Sequence, residues 1–269
     1  MSSSWRIAWL ATVLSFLSFL SFLSGPAPAF AQADEIQVYD GSLAPRGTFN
    51  LTLHNNFTPK GGNVPSFPGG VVADKSFNGV PEFALGMTDW FEAGLYLPLY
   101  TRDKNSGFGL DGVKLRTLFA VPHADDRVFV YGVNFELSYN ARRWDRTRFT
   151  SEIRPIIGWH LKPVDIILNP IVDTAYDGFR KAVFAPAARV AYHVSPVWAV
   201  AVEEYADIGP FDHLRARRDQ SHQLYWVIDR MGKQWNIEAG LGAGLTKRSD
   251  GLTLKLIVAR DLASFRRTP

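Results

Sequence analysis

The 269-residue chain contains no cysteine. No disulfide can brace the fold, no thiolate can act as nucleophile or metal ligand, and no N-terminal cysteine can carry a lipid. An excess of one charge is missing too: 29 Lys and Arg face 26 Asp and Glu, a formal +3 that includes Arg6 near the start. So small a field gives no reason to expect nucleic acid as a partner. Six histidines are scattered without metal-ligand spacing, so no metal and no cofactor is expected. Beyond residue 34 no apolar run approaches the roughly 18 residues of a spanning helix. If the chain crosses a membrane, it must do so with strands.

What is present begins with a leader. Arg6 supplies a short basic start, and Ile7 to Leu23 is apolar apart from Thr and Ser. Pro26 and Pro28 then break any helix, and Ala31-Gln32-Ala33 offers small residues for cleavage. The expectation is a signal peptide over residues 1–33, cleaved near Ala33, and a single domain over 34–269.

That domain is dominated by alternation. Phe129, Tyr131, Val133, Phe135, Leu137 and Tyr139 interleave with Val130, Gly132, Asn134, Glu136 and Ser138. Phe91, Ala93, Leu95, Leu97 and Leu99 do the same against Glu92, Gly94 and Tyr96. A period of two marks strands whose faces meet different surroundings. Such runs predict strands over 47–58, 81–88, 91–100, 109–121, 128–139, 148–161, 164–173, 183–193, 197–206, 222–230, 235–245 and 252–261. Their number, roughly twelve and even, and their length fit an up-and-down antiparallel transmembrane β-barrel, an all-β fold.

The connections point the same way, because long and short ones alternate. The stretches 59–80 and 207–221 are long, 174–182 is longer than its neighbours, and 101–108 and 140–147 are intermediate. Between them stand 88–90, 122–127, 162–163, 195–196 and 231–234, all short; 246–251 is short where a longer loop is expected. Outer-membrane barrels separate periplasmic turns from exterior loops in this manner.

On this reading the apolar faces meet lipid, with Trp90, Phe91, Phe129, Tyr139, Phe149, Trp159, Tyr192 and Trp198 as interfacial rings. The other faces, rich in small residues such as Gly94, Gly132, Gly240 and Gly242, meet the lumen. There they collect Glu82, Glu92, Lys114, Arg116, Glu136, Glu152, Arg154, Arg189, Glu203, Glu238 and Lys255. Buried charges persist when paired or hydrated. The set therefore describes either a narrow polar channel with a charged constriction or a network that fills the lumen and holds it shut.

Several segments carry a resemblance. Gly86 to Leu99, GMTDWFEAGLYLPL, resembles the Gly-Leu-Thr-Asp, Glu-x-Gly and Leu-Pro hairpin of the outer-membrane family labelled putative MetA-pathway of phenol degradation. Asn169-Pro170-Ile171-Val172-Asp173, Val202-Glu203-Glu204-Tyr205, Trp235 to Thr246 and Lys255-Leu256-Ile257 are similar to later parts of it. The resemblance implies an outer-membrane barrel that moves small solutes, aromatic or hydrophobic ones among them. Many barrels end in an aromatic residue read by the barrel-assembly machinery, whereas Phe265 here is followed by Arg266-Arg267-Thr268-Pro269.

Other signals lead elsewhere and are weaker. His193 and Ser195 have the two-residue spacing of outer-membrane phospholipases, but they fall at a periplasmic turn ahead of Pro196, away from lipid. A nucleophile must stand beside its substrate. No catalytic residue is assigned, the chain is read as no enzyme, and His193 is taken as a lumen residue. Gly240, Gly242 and Gly244 share one strand face and are followed by no helix pattern, which argues against a phosphate loop. Two basic loops, Arg142, Arg143, Arg146 and Arg148, then Arg215, Arg217 and Arg218, fall on the exterior side. Guanidinium groups there suit phosphorylated outer-membrane lipids, with a solvated loop paired to Asp145 and Asp219 as the plainer alternative.

Overall fold

The computed structural model describes residues 35–264. The expected signal peptide, its cleavage site and the tail from Phe265 lie outside these residues.

Twelve strands form one closed antiparallel sheet. They are β1 (Thr48–Lys60), β2 (Ser76–Gly86), β3 (Phe91–Asp103), β4 (Gly107–Ala120), β5 (Phe129–Asn140) and β6 (Phe149–His160). Three interrupted strands follow: β7 (Val164–Asn169 with Val172–Thr174), β8 (Val183–Phe184 with Ala187–His193) and β9 (Trp198–Asp207 with Gly209–Pro210). The last are β10 (Ser221–Met231), β11 (Asn236–Gly244) and β12 (Leu252–Ser264). Each pairs with the next, and β1 pairs back onto β12 from Thr48 with Ser264 to Lys60 with Leu252, so no edge remains. Pro170 and Pro186 fall at the breaks in β7 and β8, where a residue without an N–H cannot continue the ladder.

Burial follows the alternation. Phe83, Leu97, Phe135, Leu137, Val190, Val200, Trp226, Ile228, Leu254 and Leu256 are exposed on the outer face, whereas Thr52, His54, Asn134, Glu136, Glu203 and Lys255 are buried inside. Apolar side chains outside and polar ones inside invert the order of a water-soluble barrel. The glycines of the inner face make this filling possible. A Cβ at Gly94 would meet Arg116 Nε at 2.8 Å, and one at Gly240 would meet Lys255 Cε at 2.8 Å. Small residues clear room for the large cations beside them.

Two expectations are corrected by register. Leu99 points inward and is buried, not outward with Leu95 and Leu97, because a bulge between Tyr96 and Leu99, at Pro98, shifts β3 by one residue. Every side chain beyond it changes face, so Thr101 and Asp103 are buried as well. The 101–108 stretch is no intermediate loop: β3 and β4 continue to Asp103 and Gly107, leaving a tight turn whose Asn105 and Ser106 N–H groups donate to Asp103 Oδ1.

The two ends differ. One carries the short connections between β2 and β3, β6 and β7, β8 and β9, and β10 and β11. At the other, residues 61–75 fold over the mouth and bury Val71 and Val72, with Val71 N–H bonded to the Arg143 carbonyl at 3.0 Å.

Candidate functional site

The lumen is occupied by the chain itself. Residues 35–46, which precede β1 and have no regular structure, run inside the barrel as a strap. Three of its side chains join buried apolar clusters of the wall. Ile36 packs with Ala191, Ala201, Tyr225 and Val227; Val38 with Ile167, Ile171 and Ala187; and Tyr39 with Leu118 and Ile156. Asn169 holds the strap backbone through both polar groups of one residue: Tyr39 N–H donates to its Oδ1 at 2.7 Å, and its Nδ2 donates to the Tyr39 carbonyl at 2.9 Å. An amide side chain has one acceptor and two donors and can thus read an extended backbone as a neighbouring strand would.

Around the strap the wall carries two ionic networks. In the first, Arg116 pairs with Glu82 at 2.6 Å and with Glu92, and His54 Nε2 lies 3.1 Å from Glu82. Arg154 pairs with Glu152 at 2.6 Å, approaches strap Glu35 at 3.6 Å and donates to the Gln37 carbonyl at 2.8 Å. Both guanidiniums pack on the Tyr39 ring, Arg154 at 4.5 Å and Arg116 at 5.5 Å from its centroid, and the Tyr39 hydroxyl meets that of Tyr96. Lys114 reaches Glu136 at 3.3 Å, and Asn134 Nδ2 donates to the same carboxylate at 3.0 Å.

The second network lies across the lumen. Arg189 joins Glu203 and Asp229 and reaches Glu238 at 3.3 Å, while Lys255 joins Glu203 and Glu238. Tyr205 donates to Glu203 at 2.7 Å, and Lys255 donates to the Ile36 carbonyl at 3.2 Å.

All eleven residues expected at the lumen face it, and the structure brings them into these two networks. Sequence reasoning missed His54, Asp229, Glu35 and Tyr39. The first two lie on inward positions of β1 and β10 and were open to the same alternation. Glu35 and Tyr39 belong to the strap, which has no period to betray its place.

Below the strap a cavity of about 1020 Å³ extends to the short-turn end, bounded by Tyr39, Leu43, Arg116, Arg189, Glu238 and Ile257. His160 Nδ1 and His193 Nε2 both bond Asp165 at its rim. Ser195 Oγ accepts the Val197 and Trp198 N–H groups at 3.2 and 3.0 Å, a turn contact, while His193 is engaged with Asp165. The pair is not arranged as base and nucleophile.

No family model matches the sequence, and no curated protein is similar to it. Solved structures are similar. An outer membrane channel from Pseudomonas putida F1 aligns over 85% of this chain and 100% of its own, with TM-score 0.55 and 14% identity. The KdgM porin aligns over 80% of this chain and 99% of its own, at TM-score 0.52 and 9% identity. For the NanC porin the shares are 79% and 99%, at TM-score 0.51 and 10% identity. The fold is that of outer-membrane barrels. At such identities the likeness extends to the path of the chain and not to any solute.

The basic loops divide. Arg143 turns into the barrel mouth, 2.9 Å from Asp103 and 3.2 Å from Asp111, and Arg215 is bonded to Asp207. These two are engaged with carboxylates and withdrawn from the lipid phosphate set. Arg142, Arg146, Arg148, Arg217 and Arg218 remain exposed, with Arg218 3.5 Å from Asp219.

Proposed function

We propose that the chain is an outer-membrane channel for small solutes whose lumen the strap 35–46 holds closed. The observation that carries this is the strap's position between two charged walls of a closed barrel, above a cavity that reaches one end. The exposed apolar belt supports insertion in a bilayer. Cleavage near Ala33, delivery to the assembly machinery and residence in the outer membrane complete this reading, with the short turns facing the periplasm. Passage requires the strap to move, since its side chains occupy the space between the networks.

A solute in the strap's place would meet the surfaces that Ile36, Val38 and Tyr39 now cover: Ile167, Ile171, Tyr205 and Tyr225, bordered by ion pairs. That mixture favours small aromatic or hydrophobic molecules with a polar group. The resemblance of Gly86 to Leu99 to the phenol-degradation barrels supports the same solute class. Glu92 of that hairpin accepts the strap's Ala44 N–H at 2.5 Å.

Single-channel recording in planar bilayers tests the reading. The parent should give small, infrequent conductance steps, and a variant lacking 35–43 should give large, sustained ones. Tyr39→Gly offers the same comparison in a full-length chain, and heat-modifiable gel mobility confirms folding of each. Folded proteins that give no conductance with or without the strap would refute the channel.

A further inference from the structure

The loop end carries cations that no wall carboxylate engages. Arg142, Arg146 and Arg148 lie in the connection 141–148 between β5 and β6, all three are exposed, and none has a carboxylate partner among the described residues. They are nevertheless held in place. Arg148 donates to the Tyr139 hydroxyl at 3.1 Å and packs 5.6 Å from that ring's centroid, and Tyr139 in turn packs against Phe149 at 5.2 Å. Arg146 lies 5.4 Å from the Phe67 ring centroid, and Arg142 donates to the Arg146 carbonyl at 2.9 Å.

The connection beneath them is fixed as well. Asn140 Nδ2 donates to the Thr147 carbonyl at 3.1 Å, and Asp145, the nearest acid in sequence, accepts the Thr147 N–H at 2.7 Å. Arg143 anchors the other side through Asp103 and Asp111. A guanidinium held by an aromatic ring has already lost part of its rotamer freedom, so an anion that binds it meets a smaller ordering cost.

Tyr139 and Phe149 belong to the outward face that continues downward through Leu137 and Phe135. A ligand on Arg148 therefore has an apolar surface directly below its anionic group, with Arg142 and Arg146 in the same connection. Free phosphate would use the arginines and leave that surface empty; a lipid headgroup with its acyl chains uses both.

We propose that Arg142, Arg146 and Arg148 form a clamp for a phosphorylated lipid of the leaflet around the long loops, its acyl chains lying along Tyr139, Phe149 and Leu137. The proposal rests on the outer-membrane reading. Arg217 and Arg218 take no part, because Arg218 lies beside Asp219 and, among the described residues, neither packs on a ring.

Native mass spectrometry in a non-ionic detergent, with diphosphoryl lipid A, dephosphorylated lipid A and inorganic phosphate as separate probes, tests it. The parent should retain lipid A. Replacing all three arginines by Ala should weaken retention on the order of tenfold or more, since each lost charge-assisted contact counts severalfold. Arg217→Ala/Arg218→Ala should bind like the parent, dephosphorylated lipid A should bind like the triple variant, and millimolar phosphate should not compete. A triple Lys variant guards against misfolding: it keeps the charge, loses the fork geometry and should fall between the two.

Equal retention by parent and triple Ala variant, or equal retention of both lipids, would overturn the clamp while leaving the channel reading intact. Displacement by inorganic phosphate would reduce it to a free-anion site. A parent that fails to enter lipid vesicles would instead remove the outer-membrane reading.

Discussion

The two walls of the lumen carry similar charges and are built differently. Across β8 to β12, Arg189 and Lys255 supply partners for Glu203, Glu238 and Asp229 from within the wall, and the strap contributes one carbonyl, that of Ile36. On the side of β3 to β6, Arg154 donates to the Gln37 carbonyl and stands 3.6 Å from Glu35 of the strap, and two guanidiniums pack on its Tyr39 ring. One network is complete without the strap; the other uses the strap as a component. Buried charges left without partners are costly. The ionic part of the strap's retention therefore resides in the Tyr39 side, and the ionic bracing of the barrel wall in the Arg189 side.

Arg189→Ala should have the largest effect on stability. It leaves Asp229 without its cation and Glu203 and Glu238 with Lys255 as their shared partner, at a cost of about 3–5 kcal/mol. The measurement is the urea midpoint of protein refolded in lipid vesicles, and strap amide exchange at low urea should stay near that of the parent. If the strap loosened as much as the wall, the two networks would be one.

Tyr39→Ala should show the reverse pattern. The lost ring and hydroxyl remove contacts worth about 2–4 kcal/mol to the strap. Because strap release is a local opening, amide exchange of residues 36–44 should accelerate by far more than the urea midpoint falls. Tyr39→Phe keeps the ring and gives up the contact with Tyr96, so it should cost about 1 kcal/mol. A Phe variant as loose as the Ala variant would assign the hold to the hydroxyl pair and not to the guanidinium stack.

Legibility of this molecule in its sequence followed the same division. Strands such as Phe129–Asn140 announce themselves because lipid and lumen impose opposite chemistry on alternate residues, and Glu136, Arg154 and Lys255 could be placed inside by parity. Parity failed at Pro98, where a bulge absorbs one residue and returns Leu99 to the interior. The strap was illegible for a related reason. Residues 35–46 mix Ile36, Val38 and Tyr39 with Glu35 and Asp40, because such a segment meets apolar and charged wall on all sides and needs no period. Arg143 and Arg146 could not be told apart either. One turns into the mouth because Asp103 and Asp111 lie there, a pairing across strands that no local pattern records.

Two carboxylates at the loop end are also held differently. Asp74 accepts the Gly61 N–H at 3.3 Å and Asp250 accepts that of Gly62 at 3.0 Å. A hydrogen bond from Lys104 helps hold Asp74 below the usual carboxylate range. Burial pushes Asp250 up to about 6 from 3.8, against the Gly62 hydrogen bond. The two should act on stability with opposite sign. Asp250, protonated more readily in the folded than in the unfolded chain, contributes stability below pH 3.8 that is lost as pH rises toward about 6. Asp74 contributes stability above pH 3.8 that is lost as pH falls through its lowered value. Asp250→Asn keeps the acceptor for Gly62 and removes the charge. It should match the parent near pH 4 and exceed it near pH 7.5 by on the order of 1–3 kcal/mol, read from urea midpoints across that range. A variant weaker than the parent at pH 7.5 would mean that the ionised carboxylate of Asp250 stabilises the loop end, as the Lys104-bonded carboxylate of Asp74 does.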